Sequence, residues 1–166
     1  MKNYLLAIIF IFFNSCNNNT SNDVIDGQVE KSYLFKSGNT KWFPKNYELY
    51  ETDIFLSENN FSNLDNYRIE LYMGVKCHDS EREVPRLIKI LNELKFSDDK
   101  LKIYLLKRDK TSDSGFEKGK NITNTPTIIF YRDSMEINRI VEFPIETLER
   151  DIYKIINEIE YKNAYY

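Results

Sequence analysis

The string Cys77-His78-Asp79-Ser80 brings together the residue types that support sulfur chemistry. The thiolate is the nucleophilic form of cysteine, and a helix N-terminus or a nearby positive charge stabilises it. Cys77 follows Lys76 and directly precedes a segment with helical periodicity, so we predict a reactive thiol at this position. The alternative is a small buried hydrophobe, because free cysteine is among the most buried residue types.

Two roles are open for each polar residue beside Cys77. His78, the single histidine, could stabilise a thiolate or protonate a leaving thiol, or it could be an idle solvated imidazole. Asp79 and Ser80 are suited to capping the first turn of a helix, and Ser80 could instead hydrogen-bond the Cys77 sulfur. We take Cys77, His78 and Ser80 as the candidate catalytic residues.

The composition of the 166-residue chain excludes several other classes of function. Lysine and arginine number 23 against 26 acidic residues, a net charge of −3, and no concentrated basic run is present, so nucleic acid is not an expected partner. Two cysteines and one histidine are too few for a structural zinc site. We find no glycine-rich phosphate loop either, and we expect neither a cofactor nor a metal.

The first residues are typical of an export signal. A short positive start precedes an apolar run, residues 4–13, that is shorter than the ~20 residues a spanning helix needs. We assign residues 1–15 to a signal peptide. Ser15 directly before Cys16 resembles the bacterial lipobox, which implies a lipidated Cys16 and a membrane-anchored envelope lipoprotein, periplasmic or surface-facing. The alternative is an ordinary signal peptide with an incidental Cys16.

Hydrophobic periodicity predicts the elements that must position Cys77. Residues 67–73 alternate as a strand does, and apolar residues recur at helical spacing after Cys77. The other predicted elements are a short strand at 32–35, a helix at 47–60, a strand at 101–106, a short helix near Phe116, a hairpin of 127–131 with 136–142, and a helix that Pro144 opens and that reaches Ile159. The predicted core is Ile69, Leu71, Val84, Leu87, Leu91, Ile103, Leu105, Ile128, Phe130, Leu148, Ile152 and Ile155.

This order of elements, with a cysteine at a turn from strand to helix, resembles the thioredoxin fold. Pro85 lies eight residues after Cys77 inside a helix, where a proline costs ~3 kcal/mol or more and where thioredoxins carry one. Thr125-Pro126 directly precedes a strand and resembles the family's cis-proline loop, which implies that these two residues bind substrate. The whole motif is similar to a subgroup of thioredoxin-like proteins from the Bacteroidetes lineage.

The resemblance implies an α/β domain over residues 45–160, with a central mixed sheet of about four strands flanked by helices. Residues 16–44 then form a lipidated tether and leader, and residues 161–166 a tail. One departure matters most: Ser80 replaces the second cysteine of the usual pair, so a mixed disulfide at Cys77 has no local thiol to release it.

Two functions follow as expectations from this resemblance. The first is thiol-disulfide exchange through Cys77, by mixed disulfides with thiol- or disulfide-containing proteins or with small thiols. The alternative is a non-catalytic binding module that keeps the thioredoxin scaffold and docks extended peptide segments beside Pro126. The fold alone cannot choose between them.

Overall fold

A five-stranded mixed sheet lies at the centre of the structure, a computed structural model that describes residues 26–166. The predicted signal peptide and Cys16 lie outside the described residues. The strands are β1 (Gly27–Val29), β2 (Tyr67–Met73), β3 (Leu101–Leu105), β4 (Thr127–Arg132) and β5 (Met135–Val141). The helices are α1 (Lys31–Lys36), α2 (Trp42–Leu49), α3 (Phe55–Glu58), α4 (His78–Glu93) and α5 (Leu148–Ile156).

The sheet has the strand order β1-β3-β2-β4-β5. Strands β2 and β3 are parallel and are joined through α4, whereas every other neighbouring pair is antiparallel. The predicted class is confirmed at this level: a mixed α/β structure with helices against the sheet. The sheet has five strands rather than about four, because β1 adds an edge strand beside β3. Within residues 26–166, no helix is both long and apolar enough to cross a membrane.

The core lies between the sheet and the helices, and strand β2 crosses its middle. Leu71 of β2 pairs with Ile103 of β3 on one side and with Ile128 of β4 on the other. Burial of such aliphatic side chains contributes about 1.5–3 kcal/mol each. All twelve predicted core residues are buried, which confirms the faces assigned from periodicity. Tyr72 points to the opposite face of the sheet and belongs to a second, smaller cluster.

The prediction of a strand at residues 32–35 is wrong, because these residues lie in helix α1. Helix α1 buries Leu34 alone and leaves Ser32 and Phe35 exposed, so buried and exposed residues do not alternate as they would in a strand. Leu34 and Phe43 lie in the segment that we assigned to the leader, yet both are fully buried in the core.

The helix predicted at residues 47–60 is also incorrect in its bounds. Helix α2 begins earlier, at Trp42, and the chain is extended at Tyr50. A new turn starts where the Asp53 carboxylate accepts a hydrogen bond from the Phe55 amide at 2.9 Å, and α3 follows. The segment between the two helices therefore ends α2, and the Asp53 contact fixes the turn that leads into α3.

Two further details differ from the sequence prediction. No helix forms near Phe116; this segment consists of turns, and the Phe116 ring packs 4.9 Å from that of Tyr104. Helix α5 begins at Leu148 rather than at Pro144, because the Thr147 side chain accepts a hydrogen bond from an amide of the first turn and caps the helix. The helix ends at Ile156, which leaves Ile159 about half exposed.

Candidate functional site

Cys77 is the N-cap residue of α4, at the end of the turn that leaves β2. Its amide donates to the Gly74 carbonyl at 3.1 Å, and its own carbonyl accepts from the Glu81 amide at 2.9 Å. Cys77 is a partly exposed residue, and its Sγ lies 3.0 Å from the carbonyl oxygen of Thr125, to which the thiol donates. The turn and the first helical hydrogen bond thus fix the thiol at a helix N-terminus.

A cavity of about 600 Å³ opens beside Cys77. Its lining comes from the β2–α4 turn, from the segment after β3 and from Thr125, because the carboxyl ends of parallel β2 and β3 meet at one edge of the sheet. Four of the lining side chains are cationic, and none is acidic: Lys76, Lys107, Arg108 and Lys110. The cavity gives a ligand access to the sulfur through a positively charged entrance.

Ser80 does not take either predicted role. Its side chain is fully buried, and its hydroxyl accepts a hydrogen bond from the Gly74 amide at 3.3 Å. No hydrogen bond joins it to the Cys77 sulfur in the described structure. Asp79 does not cap α4 either, since its carboxylate pairs with Arg82 at 2.9 Å. Ser80 therefore supports the turn that carries Cys77. The N-cap side chain of α4, that of Cys77, makes no capping hydrogen bond.

His78 lies apart from the Cys77 cavity. It is exposed and lines a different cavity, of about 320 Å³, together with Tyr50, Arg82 and Arg86. The structure thus brings Cys77 and Thr125 together but leaves His78 outside the cavity onto which the thiol opens.

The peptide bond between Thr125 and Pro126 is cis, the isomer that the resemblance implies. Both residues are buried, and the Pro126 carbonyl accepts a hydrogen bond from the Glu142 amide at 2.7 Å. Of the two predicted substrate-binding residues, Thr125 lines the cavity and Pro126 does not. The Thr125 amide donates no hydrogen bond within residues 26–166, and Thr125 is one of the residues that line the cavity.

Sequence reasoning missed the contribution of the segment after β3 and of Trp42. The Trp42 indole donates to the Val75 carbonyl at 3.2 Å and so holds the turn before Cys77. The segment Lys107-Arg108-Asp109-Lys110 supplies three of the four cations of the cavity. Its signal was present: charged residues directly after a strand that is parallel to β2 must lie at the same sheet edge as Cys77.

A buried ionic cluster supports that segment from the opposite face of the sheet. The Glu70 carboxylate binds Arg68, accepts from the Tyr72 hydroxyl at 2.9 Å and pairs with Lys120 at 3.0 Å. Burial raises the pKa of Glu70, but the hydrogen bonds from these three partners outweigh it and leave the pKa below its ordinary value. The Tyr72 hydroxyl oxygen also lies 3.3 Å from the Phe116 carbonyl oxygen, and Lys120 belongs to the same segment, so the cluster contacts residues 107–125 from the sheet.

The site holds no evident metal ligands. Among the described residues, no group of three or more His, Cys, Asp or Glu side chains is arranged to hold a metal ion. The groups that meet at this place are the Cys77 thiol, the backbone of Thr125 and the surrounding cations.

Comparison with known proteins adds little to this description. No protein-family model matches the chain, and no curated protein matches it. One solved structure is similar, a 1.5 Å crystal structure of a protein of unknown function from Pseudomonas aeruginosa. It has 11% sequence identity and a TM-score of 0.46, and the match covers 79% of this chain and 95% of that one.

Proposed function

We propose that this protein carries out thiol-disulfide exchange through Cys77. One observation carries the proposal: a partly exposed thiol at the N-terminus of α4 opens onto a cavity beside the backbone of a cis-proline loop. The helix N-terminus stabilises negative charge on sulfur. The unpartnered Thr125 amide offers a main-chain contact to a partner that reaches the sulfur.

The exchange consists of two balanced displacements. The Cys77 thiolate attacks one sulfur of a partner disulfide, an S–S bond forms to Cys77, and the other partner sulfur leaves with the electron pair and takes up a proton. A second thiol then attacks the mixed disulfide, forms a new disulfide with the bound partner and restores Cys77. Because Ser80 has no sulfur, this second thiol must come from outside the chain.

We also propose that the fold is thioredoxin-like. The order of elements, with β2, α4 and β3 followed by an antiparallel pair and α5, agrees with the resemblance. Pro85 inside α4 and the cis bond before Pro126 occupy the places that the resemblance implies. These features support the assignment together, since each occurs in other folds by itself.

Trapping at Cys77 tests the proposed activity in cells. Intact cells are treated with acid to quench exchange, and disulfide-linked species of the full chain are separated without reductant and identified by mass spectrometry. We expect adducts that reductant releases and that Cys77→Ser abolishes, while His78→Ala retains them. Absence of any Cys77-linked species in the wild-type chain would contradict the proposal.

A specific observation favours the second candidate function, a non-catalytic binding module. The Cys77 thiol donates its hydrogen to Thr125, a contact that only the protonated form makes, and the position of a resolving thiol is filled by buried Ser80. In this case partners bind beside Thr125 without a covalent bond. This function would be favoured if partners co-purify equally with the wild type and with Cys77→Ala, and if denaturant dissociates these complexes.

We further propose that the protein is an envelope lipoprotein anchored through Cys16. The positive start, the short apolar run and the Ser15-Cys16 pair support this localisation. Cells fed a fatty-acid analogue should label the wild type and not Cys16→Ser, with Cys77→Ser as the matched control that keeps the label. Label on the Cys16→Ser protein would exclude lipidation at that residue.

A further inference from the structure

The cationic side chains that line the Cys77 cavity differ in whether a carboxylate neutralises their charge. Lys107 pairs with Asp113 and lies 3.9 Å from Asp26, so its charge is largely balanced. Lys76, Arg108 and Lys110 make no ion pair within residues 26–166. Three uncompensated positive charges therefore surround the entrance to the thiol.

The acidic residue nearest in sequence does not cancel this charge at the cavity. Asp109 lies between two of the cations, but it is exposed and does not line the cavity. Its carboxylate accepts from the amide and the hydroxyl of Thr111, at 3.1 and 2.8 Å. The chain as a whole carries a net charge of −3, so the cavity is a positive region on a negative protein.

We infer that the partner sulfur with which Cys77 exchanges is flanked by carboxylates, in an acidic peptide segment or a small acidic thiol. This inference rests on the proposed exchange activity. A negative group beside the reacting sulfur would enter a cavity that is lined by Lys76, Arg108 and Lys110 together with apolar Val75 and Leu106. Charge complementarity of this kind mainly raises the association rate and selects among partners.

Four probe disulfides test the inference, each carrying the same thiopyridyl leaving group. Two are peptides in which the cysteine is flanked by glutamates or by lysines, and two are small disulfides of mercaptopropionate or mercaptoethylamine. The full chain carries Cys16→Ser so that Cys77 is the only thiol. The readout is the rate with the acidic probe divided by the rate with the basic probe, because the thiolate population cancels in this ratio.

We expect the ratio to favour the acidic probes by roughly tenfold at low salt and to approach one as salt is added. Reversal of two charges, Arg108→Glu with Lys110→Glu, should lower the ratio by roughly tenfold or more. The matched control is Lys95→Glu, an exposed lysine at the far end of α4, about 24 Å from its start, which should leave the ratio unchanged.

Each outcome decides one question. A preference within the peptide pair alone identifies an acidic protein segment as the partner, and one within the small pair alone identifies a small acidic thiol. Equal rates with acidic and basic probes in both pairs would overturn the inference while leaving the exchange activity intact, as would an equal effect of Lys95→Glu. No Cys77 adduct with any of the four probes would instead contradict the proposed function. The salt dependence of the wild-type ratio keeps the test decisive if the charge-reversed variant fails to fold.

Discussion

Cys77 and Ser80 lie one helical turn apart at the start of α4, and only one of them carries sulfur. The Cα atoms of residues three apart on a helix lie about 5 Å apart, which is within the range of Cα separations that a disulfide spans. The Ser80 hydroxyl is buried and bonded to the Gly74 amide, so position 80 faces the turn that holds Cys77. A thiol placed there would lie close to the Cys77 sulfur of a mixed disulfide and could displace the partner by attacking it.

Ser80→Cys should therefore convert a protein that needs an external thiol into one that resolves its own mixed disulfides. With dithiothreitol supplied to reduce the internal disulfide that the variant forms, we expect its rate of insulin reduction to exceed that of the wild type roughly several-fold, because the displacement that releases insulin becomes intramolecular. Ser80→Ala is the matched control, since it removes the contact to Gly74 without adding sulfur. An equal rate for Ser80→Cys and Ser80→Ala would show that position 80 cannot reach the bond.

Residue types alone identified the thiol but not its surroundings. Cys77 was predictable because a cysteine before an amphipathic helix takes a helix N-terminus. The burial of Ser80 and the separation of His78 were not, because each depends on the path of the turn from Gly74 to Cys77 rather than on local sequence. Arg108 and Lys110 could have been placed near Cys77, because they follow a strand that pairs in parallel with β2, but this inference needs the pairing of the strands as well as the residue types.

Helix α4 carries Pro85 in its interior without a break. A proline has no N–H, so the Glu81 carbonyl, four residues earlier, lacks its helical partner. The side-chain amide of Asn46 in α2 donates to this carbonyl at 2.9 Å and replaces the missing bond. The contact joins α2 to the first turns of α4, next to the turn that carries Cys77.

A double-mutant cycle measures this replacement. Asn46→Ala should lower the free energy of unfolding by about 1 kcal/mol, because the Glu81 carbonyl loses its donor. In a Pro85→Ala background the cost should fall, since the alanine N–H can donate to the same carbonyl, and we expect a coupling of about 0.5–1 kcal/mol. Urea denaturation of the four proteins gives the values. Equal costs in the two backgrounds would show that Asn46 does not act through Glu81.

The elements that were predictable are those with a strong period of their own. Strand β2 has the predicted bounds, and α4 follows from apolar residues that recur along one face. Helix α1 was not predictable as a helix, because its six residues bury only Leu34 against the core. In such a short segment the tertiary contact, rather than the sequence pattern, decides the conformation.

At the scale of the whole molecule, residues 107–125 lie over the second face of the sheet. The Glu70 cluster, which consists of Glu70, Arg68, Tyr72 and Lys120, holds this segment there. This segment has no helix or strand of its own, yet it supplies Lys107, Arg108 and Lys110 to the cavity. Tyr72 reaches Phe116 from the cluster, and Lys120 also donates to the Tyr131 hydroxyl at 2.9 Å. Loss of the central carboxylate should therefore weaken both the fold and the placement of the cavity cations.

The pH dependence of stability tests this role. Because the pKa of Glu70 in the folded protein lies below its ordinary value of 4.5, its contribution is present above about pH 4.5 and is lost as the pH falls through the folded value. Glu70→Gln should cost about 1–3 kcal/mol at neutral pH. The difference from wild type should shrink on acidification.

The control for this measurement is Glu48→Gln, an exposed residue of α2 that makes no ion pair in the described part of the chain. Its unfolding curves should follow those of the wild type at every pH. A Glu70→Gln difference that stays constant from pH 7 to pH 3 would show that the carboxylate contributes nothing to stability through its charge.

The intact mass of the protein after exposure to a disulfide probe tests the central claim most directly. The full chain, carrying Cys16→Ser so that Cys77 is its only thiol, is incubated with the probe, and the excess is removed without reductant. Tryptic mapping then assigns the adduct, since cleavage after Lys76 and Arg82 isolates the peptide 77–82. We predict one probe molecule on Cys77 that persists in buffer and is released by an added thiol, with none on Cys77→Ser. A wild-type Cys77 that remains unmodified while the probe reacts with a free thiol in the same tube would contradict exchange at this site.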